Sequence, residues 1–482
     1  MGINDNNNKS PIIRPEDNIL DNGSSSMLDR GIALSGELSK PAHTFSNIKE
    51  IYRLTGIDFP QFSPKGNFLA GINIEDFTID IFDILSGTLI GRLAGFKKSV
   101  FRDIRGYKVI FDISSSEKYV AGALVSPGVS DAPTHEDILL WDLSELSKIK
   151  KTFHPISRFK VPHPTIALKI NRDEQIITSI HPDNILHNIN YHNQVIDKYR
   201  LEYPGSRDIR ISDGDEDFDF YSFSKSGEDI ATCVQSLYWE DTGLEPTKFF
   251  TEGRDISTWN ISGLPKKYSI PCKRIKTKLP YLSPEIFKQT PSSVGNSSYH
   301  AKIALSPDAK FAIFNSEIGG PHFTQNLREK IITFVLVNIR SGYISCKIHL
   351  LPPNWAGNEV STKDDIYFRY SFGDVGTHKL LSMGNTPNTQ EWSYTRNRIS
   401  SLILTKDGMN CVAGTNWGDI ILMDFQNGLT VSILHASHYS DLPFPSQGYG
   451  GISLSTDKRL IAGSGYSLSA DSDNQVVIVW SY

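Results

Sequence analysis

A turn of the type Ser-Pro-x-Gly, followed at once by a run of apolar and small residues, recurs seven times along this 482-residue chain. The clearest copy, FSPKGNFLAGINIEDFTIDIFDILSG, runs from Phe62 to Gly87. The turns fall at Ser63–Gly66, Ser114–Glu117, Asn171–Glu174, Ser224–Gly227, Ser306–Ala309, Thr405–Gly408 and Ser455–Lys458. Successive starts are therefore 51, 57, 53, 82, 99 and 50 residues apart. A unit recurring at such intervals buries its apolar face only by stacking on its neighbours, so the chain reads as an array of repeats. The two long steps mark large insertions, or in the second case a degenerate extra unit.

Each unit reads as short strands. In Thr78–Ile84, TIDIFDI, a period of two places Thr78, Phe82 and Ile84 on one face, and β-branched and aromatic types suit a pleated surface. Near-continuous apolar runs such as Asp137–Leu143, Ile332–Ile339, Asp419–Phe425 and Val476–Tyr482 suit strands covered on both faces. Pro, Gly, Ser, Asn and Asp between the runs supply turn chemistry. No amphipathic helix longer than two turns is evident. The expected class is all-β.

In most units the second apolar run ends in a large residue followed by Asp, Asn or Ser: Phe82-Asp83, Trp141-Asp142, Trp259-Asn260, Val337-Asn338, Met423-Asp424 and Trp480-Ser481. With the turn-plus-strand elements FSPKGNFLAG, FSKSGEDIAT, LSPDAKFAIF, LTKDGMNCVAG and LSTDKRLIAG, these make residues 46–482 resemble the WD40-repeat family. The resemblance implies a single closed β-propeller of four-stranded blades, seven by the turn count, with an eighth left open. The family's Gly-His dipeptide is missing, and Gly95-Phe96 stands where one is expected. Its buried Asp-His-Ser-Trp network is therefore mostly absent, and apolar packing is expected to hold the blades.

The ends of the chain fit closure. The last strand, VVIVWSY, has no outer strand after it, whereas IKEIYRLTGIDFPQFSP (Ile48–Pro64) supplies one before the first turn. An N-terminal strand completing the last blade removes an exposed edge. Residues 1–45, rich in Asn, Ser, Asp and Pro, read as a disordered tail. Insertions are expected at about residues 265–300 and 351–397. The second holds Trp355, Tyr367, Phe368, Tyr370, Phe372, Trp392 and Tyr394, either as packing for an extra blade or as anchors for a partner.

A net charge of −5 and a pI near 6.2 argue against a nucleic-acid-seeking surface. Cys233, Cys272, Cys346 and Cys411 form no CxxC pair, which points to a reducing compartment. There is no apolar run of membrane-spanning length, no apolar leader at the N-terminus, and Asn6 breaks the myristoylation pattern after Gly2. An intracellular protein is expected, cytoplasmic or nuclear.

Chemistry-bearing motifs are few. No GxSxG elbow, phosphate loop or HExxH pair occurs. His181, His187 and His192 lie six and five residues apart, which would set the first two on one strand face and the third on the other. A polar strand-and-turn segment fits that spacing better than a metal site. The acidic run Ser212–Phe220 lacks the spacing of a calcium loop and reads as a solvated loop. FRDIRG (Phe101–Gly106) lacks the paired arginines of phosphoinositide-binding propellers.

One basic segment remains, with Lys266, Lys267, Lys273, Arg274, Lys276 and Lys278 free of intervening acids. It reads either as a site for an acidic or phosphorylated peptide, RNA or a lipid headgroup, or as an outer strand bearing solubilising lysines. The innermost strands, around Phe62, Phe223, Leu305, Leu404 and Leu454, carry mainly apolar residues and Ser. The resulting expectation is a non-catalytic scaffold without cofactor or metal, binding protein partners within a larger complex. The alternatives are a hydrolase or lactonase using the central channel, and a phosphoinositide-binding ring.

Overall fold

The computed structural model describes residues 48–97, 108–126, 134–135, 137–146, 151–181, 184–202, 221–239, 250–262, 269–278, 302–319, 330–351, 365–370, 380–382, 399–405, 408, 410–415, 419–424, 430–435, 451–455, 457–469 and 472–482. They contain no α-helix. The chain divides between Ala42 and His43, and everything described belongs to the second unit. The expected tail at residues 1–45 lies outside the described residues.

The strands form seven sheets. β1 (Lys49–Thr55) precedes blade 1, which is built of β2 (Ile57–Phe62), β3 (Phe68–Asn73), β4 (Thr78–Asp83) and β5 (Leu89–Leu93). Blade 2 takes β6 (Lys108–Ile113), β7 (Tyr119–Ser126), the short β8 (Thr134–His135), β9 (Ile138–Asp142) and, after β10 (Lys151–Phe153), β11 (Ser157–Phe159). Blade 3 is β12 (Ala167–Ile170), β13 (Ile176–His181), β14 (Ile185–Asn190) and β15 (Val195–Leu201). Blade 4 is β16 (Tyr221–Phe223), β17 (Asp229–Trp239), β18 (Phe250–Asn260) and, after β19 (Ser269–Ile270), β20 (Lys273–Lys278).

Blade 5 is β21 (Ile303–Leu305), β22 (Phe311–Gly319), β23 (Lys330–Asn338) and β24 (Ile344–Leu351), extended by β25 (Asp365–Tyr370) and β26 (Leu380–Ser382). Blade 6 is β27 (Ile399–Leu404), β28 (Asn410–Thr415), β29 (Asp419–Asp424) and β30 (Thr430–His435). Blade 7 is β31 (Ile452–Ser455), β32 (Leu460–Ser469) and β33 (Ser472–Ser481), and β1 is its fourth strand. β1 pairs antiparallel with β33 from Lys49↔Ser481 to Thr55↔Val476. The ring is a seven-bladed β-propeller closed by its N-terminal strand. The paired strands β25 and β26 lengthen blade 5 instead of forming an eighth blade, because β25 runs parallel to β24 along its outer edge.

The repeated sequence features have direct causes. At six of the seven first turns the fourth residue takes a left-handed backbone, at Gly66 (φ 68°), Gly227 (79°) and Gly408 (70°), but also at Glu117 (69°), Glu174 (54°) and Ala309 (55°); after the seventh, Ser455–Lys458, it is the next residue, Arg459 (54°). Glycine adopts that conformation without strain, which is why the turn favours it. The leading Ser or Thr hydroxyl accepts the amide five residues on: Phe68 to Ser63, Tyr119 to Ser114, Asp229 to Ser224, Phe311 to Ser306 and Asn410 to Thr405, at 3.0–3.1 Å. The Asp or Asn after the large residue caps the next turn. Asp83 accepts from the Ser86 amide at 2.9 Å, Asp142 from Ser144 at 2.7 Å, Asn260 from Ser262 at 3.1 Å and Asn338 from Ser341 at 3.0 Å.

Alternation splits the apolar residues between neighbouring blades. On β4, Ile79 and Ile81 pack with Val120, Leu139 and Trp141 of blade 2, whereas Phe82 and the following Ile84 pack with Leu460, Val477 and Val479 of blade 7. Met423 and Trp480 are buried in the same way on blades 6 and 7.

Two tryptophans add a polar tie. The Trp141 indole N–H donates to the Ala94 carbonyl at 2.9 Å, and that of Trp259 to the Glu202 carbonyl at 3.0 Å. Each acceptor directly follows the outer strand of the preceding blade. Beside each tie the chain leaves its own blade and adds a short parallel strand to that outer edge, β10 on β5 and β19 on β15.

Two outcomes test this account. Deleting residues 1–55 removes β1 and should give an aggregating protein, whereas deleting residues 1–40 should leave cooperative melting within about 1 kcal/mol of the full chain. A soluble, cooperatively folding 56–482 fragment would refute closure by β1. Trp141→Ala and Trp259→Ala should each lose roughly 3–5 kcal/mol in chemical denaturation.

Candidate functional site

The first turns of blades 1 to 5 lie side by side at one mouth of the channel, and the second strand of each blade runs from its turn toward the other end, the hairpin mouth. At the first mouth, turns bond to turns. The Lys65 amide donates to Glu117 at 2.7 Å, and the Ser116 amide to Glu174 at 2.5 Å. The Arg172 amide donates to the Ser226 carbonyl at 3.1 Å, and that of Lys225 to Pro307 at 2.9 Å. The strained backbones of Glu117 and Glu174 are thus held where their carboxylates satisfy amides of the preceding blade.

The channel wall is stitched one layer further in. The residue two places before each turn lies on an innermost strand, and on three blades it accepts a backbone amide of the next blade. Ser453 accepts from Phe62 at 2.8 Å, Asp112 from Ile170 at 2.8 Å, and Ser222 from Leu305 at 2.9 Å. Asp112 also takes the Lys169 ammonium at 2.8 Å, with the Gln61 amide at 3.5 Å. Sequence reading placed the innermost strands of blades 1, 4, 5, 6 and 7 and missed β6 and β12. Those two carry the ion pair, and their turns, SSSE and NRDE, lack both the Pro and the Gly of the Ser-Pro-x-Gly pattern.

At the hairpin mouth two sites bury titratable groups. His181 ends β13 and His187 lies on β14, so the pair sits across adjacent strands and not along one, as the spacing suggested. His192 lies outside both, in the following turn. The rings stand 4.5 Å apart with both residues buried. His181 Nδ1 lies 3.1 Å from the carbonyl oxygens of His163 and Pro164, which only accept, so Nδ1 carries the proton. Its Nε2 is then the acceptor for Ser179 Oγ at 2.9 Å and His187 Nδ1 at 3.1 Å. Burial, with His187 beside it, lowers the His181 pKa from 6.5 to about 3. Burial first, then Lys198 and His163, lowers that of His187. Among the described residues no three His, Cys, Asp or Glu side chains are arranged to hold a metal ion.

The second group is Asp58, on β2 where blade 1 meets blade 7. Burial raises its pKa from 3.8 to about 6, against the hydrogen bond that Oδ1 accepts from the Phe59 amide at 2.8 Å. Phe59 itself is left-handed (φ 50°), at an irregularity in the β2–β3 register.

The basic segment is distributed over blade 4. Lys273, Arg274, Lys276 and Lys278 all lie on β20, its outer strand. Lys273 donates to the Ile339 and Arg340 carbonyls of blade 5 at 2.8 and 3.2 Å, so its ammonium caps a neighbouring turn. In register, Arg274 stands opposite Ser257, Lys276 opposite Asp255, and Lys278 opposite Gly253. Lys266 and Lys267 lie outside the described residues, as do Phe101–Gly106, the acidic run at 212–220, and Trp355, Phe372, Trp392 and Tyr394. Tyr367, Phe368 and Tyr370 belong to β25.

No family model matches the chain, and no curated protein matches it. Among solved structures it is similar to the Cps50 (Swd1) β-propeller domain of Myceliophteria thermophila, at 14% identity and TM-score 0.47, covering 90% of this chain and 99% of that one. It is also similar to the hydrazine synthase of Kuenenia stuttgartiensis, at 10% identity and TM-score 0.49, covering 91% and 98%. Likenesses this distant carry no argument about activity, which rests on the geometry above.

The buried groups predict opposing pH effects. His181 is neutral in the fold down to about pH 3 but titrates near 6.5 when unfolded, so its contribution to stability is lost as pH falls from 6.5. The slope from this one group is at most about 1.4 kcal/mol per pH unit. Asp58 prefers its proton in the fold, so its contribution is present below 3.8 and lost as pH rises through about 6. In denaturation between pH 6.5 and 4, His181→Gln should flatten the acid loss of stability and Asp58→Asn should steepen it. Unchanged slopes in both would refute the two assignments.

Proposed function

We propose that this chain is a non-catalytic, WD40-like scaffold that binds protein partners as part of a larger intracellular assembly. One observation carries the reading: on three blades a polar side chain of the channel wall is engaged in holding the next blade. Asp112, Ser222 and Ser453 each accept an amide from the next blade, and the carboxylate of Asp112 also holds Lys169. A hydrolase needs such groups to converge on a point that a reacting atom can occupy. The buried histidines likewise face each other and two carbonyls. No disulfide joins Cys233, Cys272 and Cys411, which supports a reducing compartment. No helix among the described residues is long and apolar enough to cross a membrane.

The partner surface we assign is the outer rim of blade 4, where β20 presents its basic residues along one strand. An acidic or phosphorylated segment of a partner is the complementary chemistry. Lys273 belongs to the ring by its contacts with blade 5; Arg274, Lys276 and Lys278 hold alternate positions of β20, and these we assign to recognition.

Reversing Arg274 and Lys278 to Glu should remove partners captured from the native cell in a salt-dependent way, with the melting temperature moved by no more than a few degrees. Retention of every partner at low salt would place binding elsewhere on the ring. Turnover of simple esters or lactones by the purified chain would overturn the non-catalytic assignment.

A further inference from the structure

The hairpin of blade 4 is longer than the ring requires. β17 and β18 each run 11 residues, whereas the corresponding strands of blades 1, 3 and 6 run six. At about 3.4 Å per residue, the extra length lifts the hairpin roughly 17 Å past the wall. β16 covers β17 only at Ile230–Thr232, and β20 meets β18 only from Gly253 onward. Beyond these limits the hairpin is a two-stranded ribbon.

Its backbone polarity follows from two bonds. The Ser224 amide donates to the Asp229 carbonyl on the β16 side, and the Ile261 amide to the Glu228 carbonyl on the β18 side. Successive residues of a strand turn these groups to alternate sides, and the β17–β18 register is unbroken. Gln235, Leu237 and Trp239 therefore present N–H and C=O to the edge away from β18. Among the described residues no strand pairs with that edge.

Three other terminal edges of this molecule carry charge, whereas the short β26 (LLS) and β30 (TVSILH) do not. β1 has Lys49, Glu50 and Arg53 together with a register irregularity, β15 has Asp197, Lys198 and Arg200, and β20 has four basic residues. Charge and irregularity are what keep strand edges from pairing with other chains. Val234–Trp239 reads VQSLYW, with no charge and no proline. At the same mouth, β32 continues past the reach of β31 as Gly465–Ser469, GYSLS, also uncharged.

We propose that the Val234–Trp239 edge is a self-association site, where two copies of this chain pair β17 to β17, antiparallel, about a two-fold axis at Ser236. Both ribbons project from the hairpin mouth, so an antiparallel pairing brings the two mouths face to face. Centring on Ser236 sets Gln235 opposite Leu237 of the second copy, with two hydrogen bonds in each such pair, and Val234 opposite Tyr238. The smallest side chain of the segment then stands at the axis, in a pair without hydrogen bonds, where strands approach most closely. No charge meets a charge, and the contact is isologous, so it closes as a dimer and does not propagate. This goes beyond partner binding at β20 and does not depend on it.

Sedimentation velocity of the full chain, from about 1 to about 100 µM, should show a concentration-dependent dimer. Ser236→Lys or Ser236→Glu alone places like charges across the axis and should weaken the dimer at least about tenfold. An equimolar mixture of the two variants should restore a heterodimer. Each variant should melt with the wild type at concentrations where all are monomeric. A wild type that stays monomeric throughout, or a dimer indifferent to both substitutions, overturns the proposal. Either result leaves the charge-reversal test at β20 unaffected.

Discussion

Seven twisted sheets stacked face to face around an axis bury both faces of every sheet only if there is no first and no last sheet. The pairing of β1 with β33 meets that condition. It places Leu54 in one apolar cluster with Val477 and Val479 of blade 7 and with Leu69 and Phe82 of blade 1. The seam is then held at several depths. Tyr52 donates its hydroxyl to the Ile84 carbonyl at 3.0 Å, the Gly56 amide reaches the Gln475 carbonyl at 2.8 Å, and Phe62 is held by Ser453. Without closure the apolar strands on each side of the seam would be open to water and to other chains.

Within the closed ring, several small ties hold neighbouring blades together. Blades 2 and 4 share the local pattern WDLSEL and WNISGL, and the pattern recurs in space. In both, the tryptophan reaches back to a carbonyl of the preceding blade, the Asp or Asn caps the turn, and the following chain adds a parallel strand to that preceding blade. Blades 1–2 and 3–4 are therefore equivalent pairs. A large aromatic between two blades supplies much contact area, and its single donor needs only one acceptor to be buried without penalty. Packing and one well-placed bond together tie blades 2 and 4 each to the one before it.

The same economy bears on function. In the function proposed above, Asp112, Ser222 and Ser453 of the wall serve the ring, and recognition falls to what stands outside the wall. Two such features belong to blade 4: the basic outer strand and the uncharged Val234–Trp239 edge, proposed above as surfaces for a charged partner and for a second strand. One offers charge to a partner, and the other offers backbone groups to a strand.

The amino-acid sequence by itself determined the strand class and seven blade turns, and left an eighth blade open. The turn with its leading Ser and its left-handed fourth residue is a local device, and so is the Asp or Asn that caps the next turn; local devices can be read from a few residues. Closure was legible for a similar reason, since a final strand without an outer partner and an initial strand without a blade imply one another. Only the tertiary structure decided what depends on register between distant segments. It paired His181 with His187 across two strands, joined Asp112 to Lys169 across two blades, and set Lys273 on carbonyls more than sixty residues away. It also attached β25 and β26 to blade 5. None of these follows from spacing along the chain, because each depends on which residues the closed ring brings to the same height on neighbouring blades.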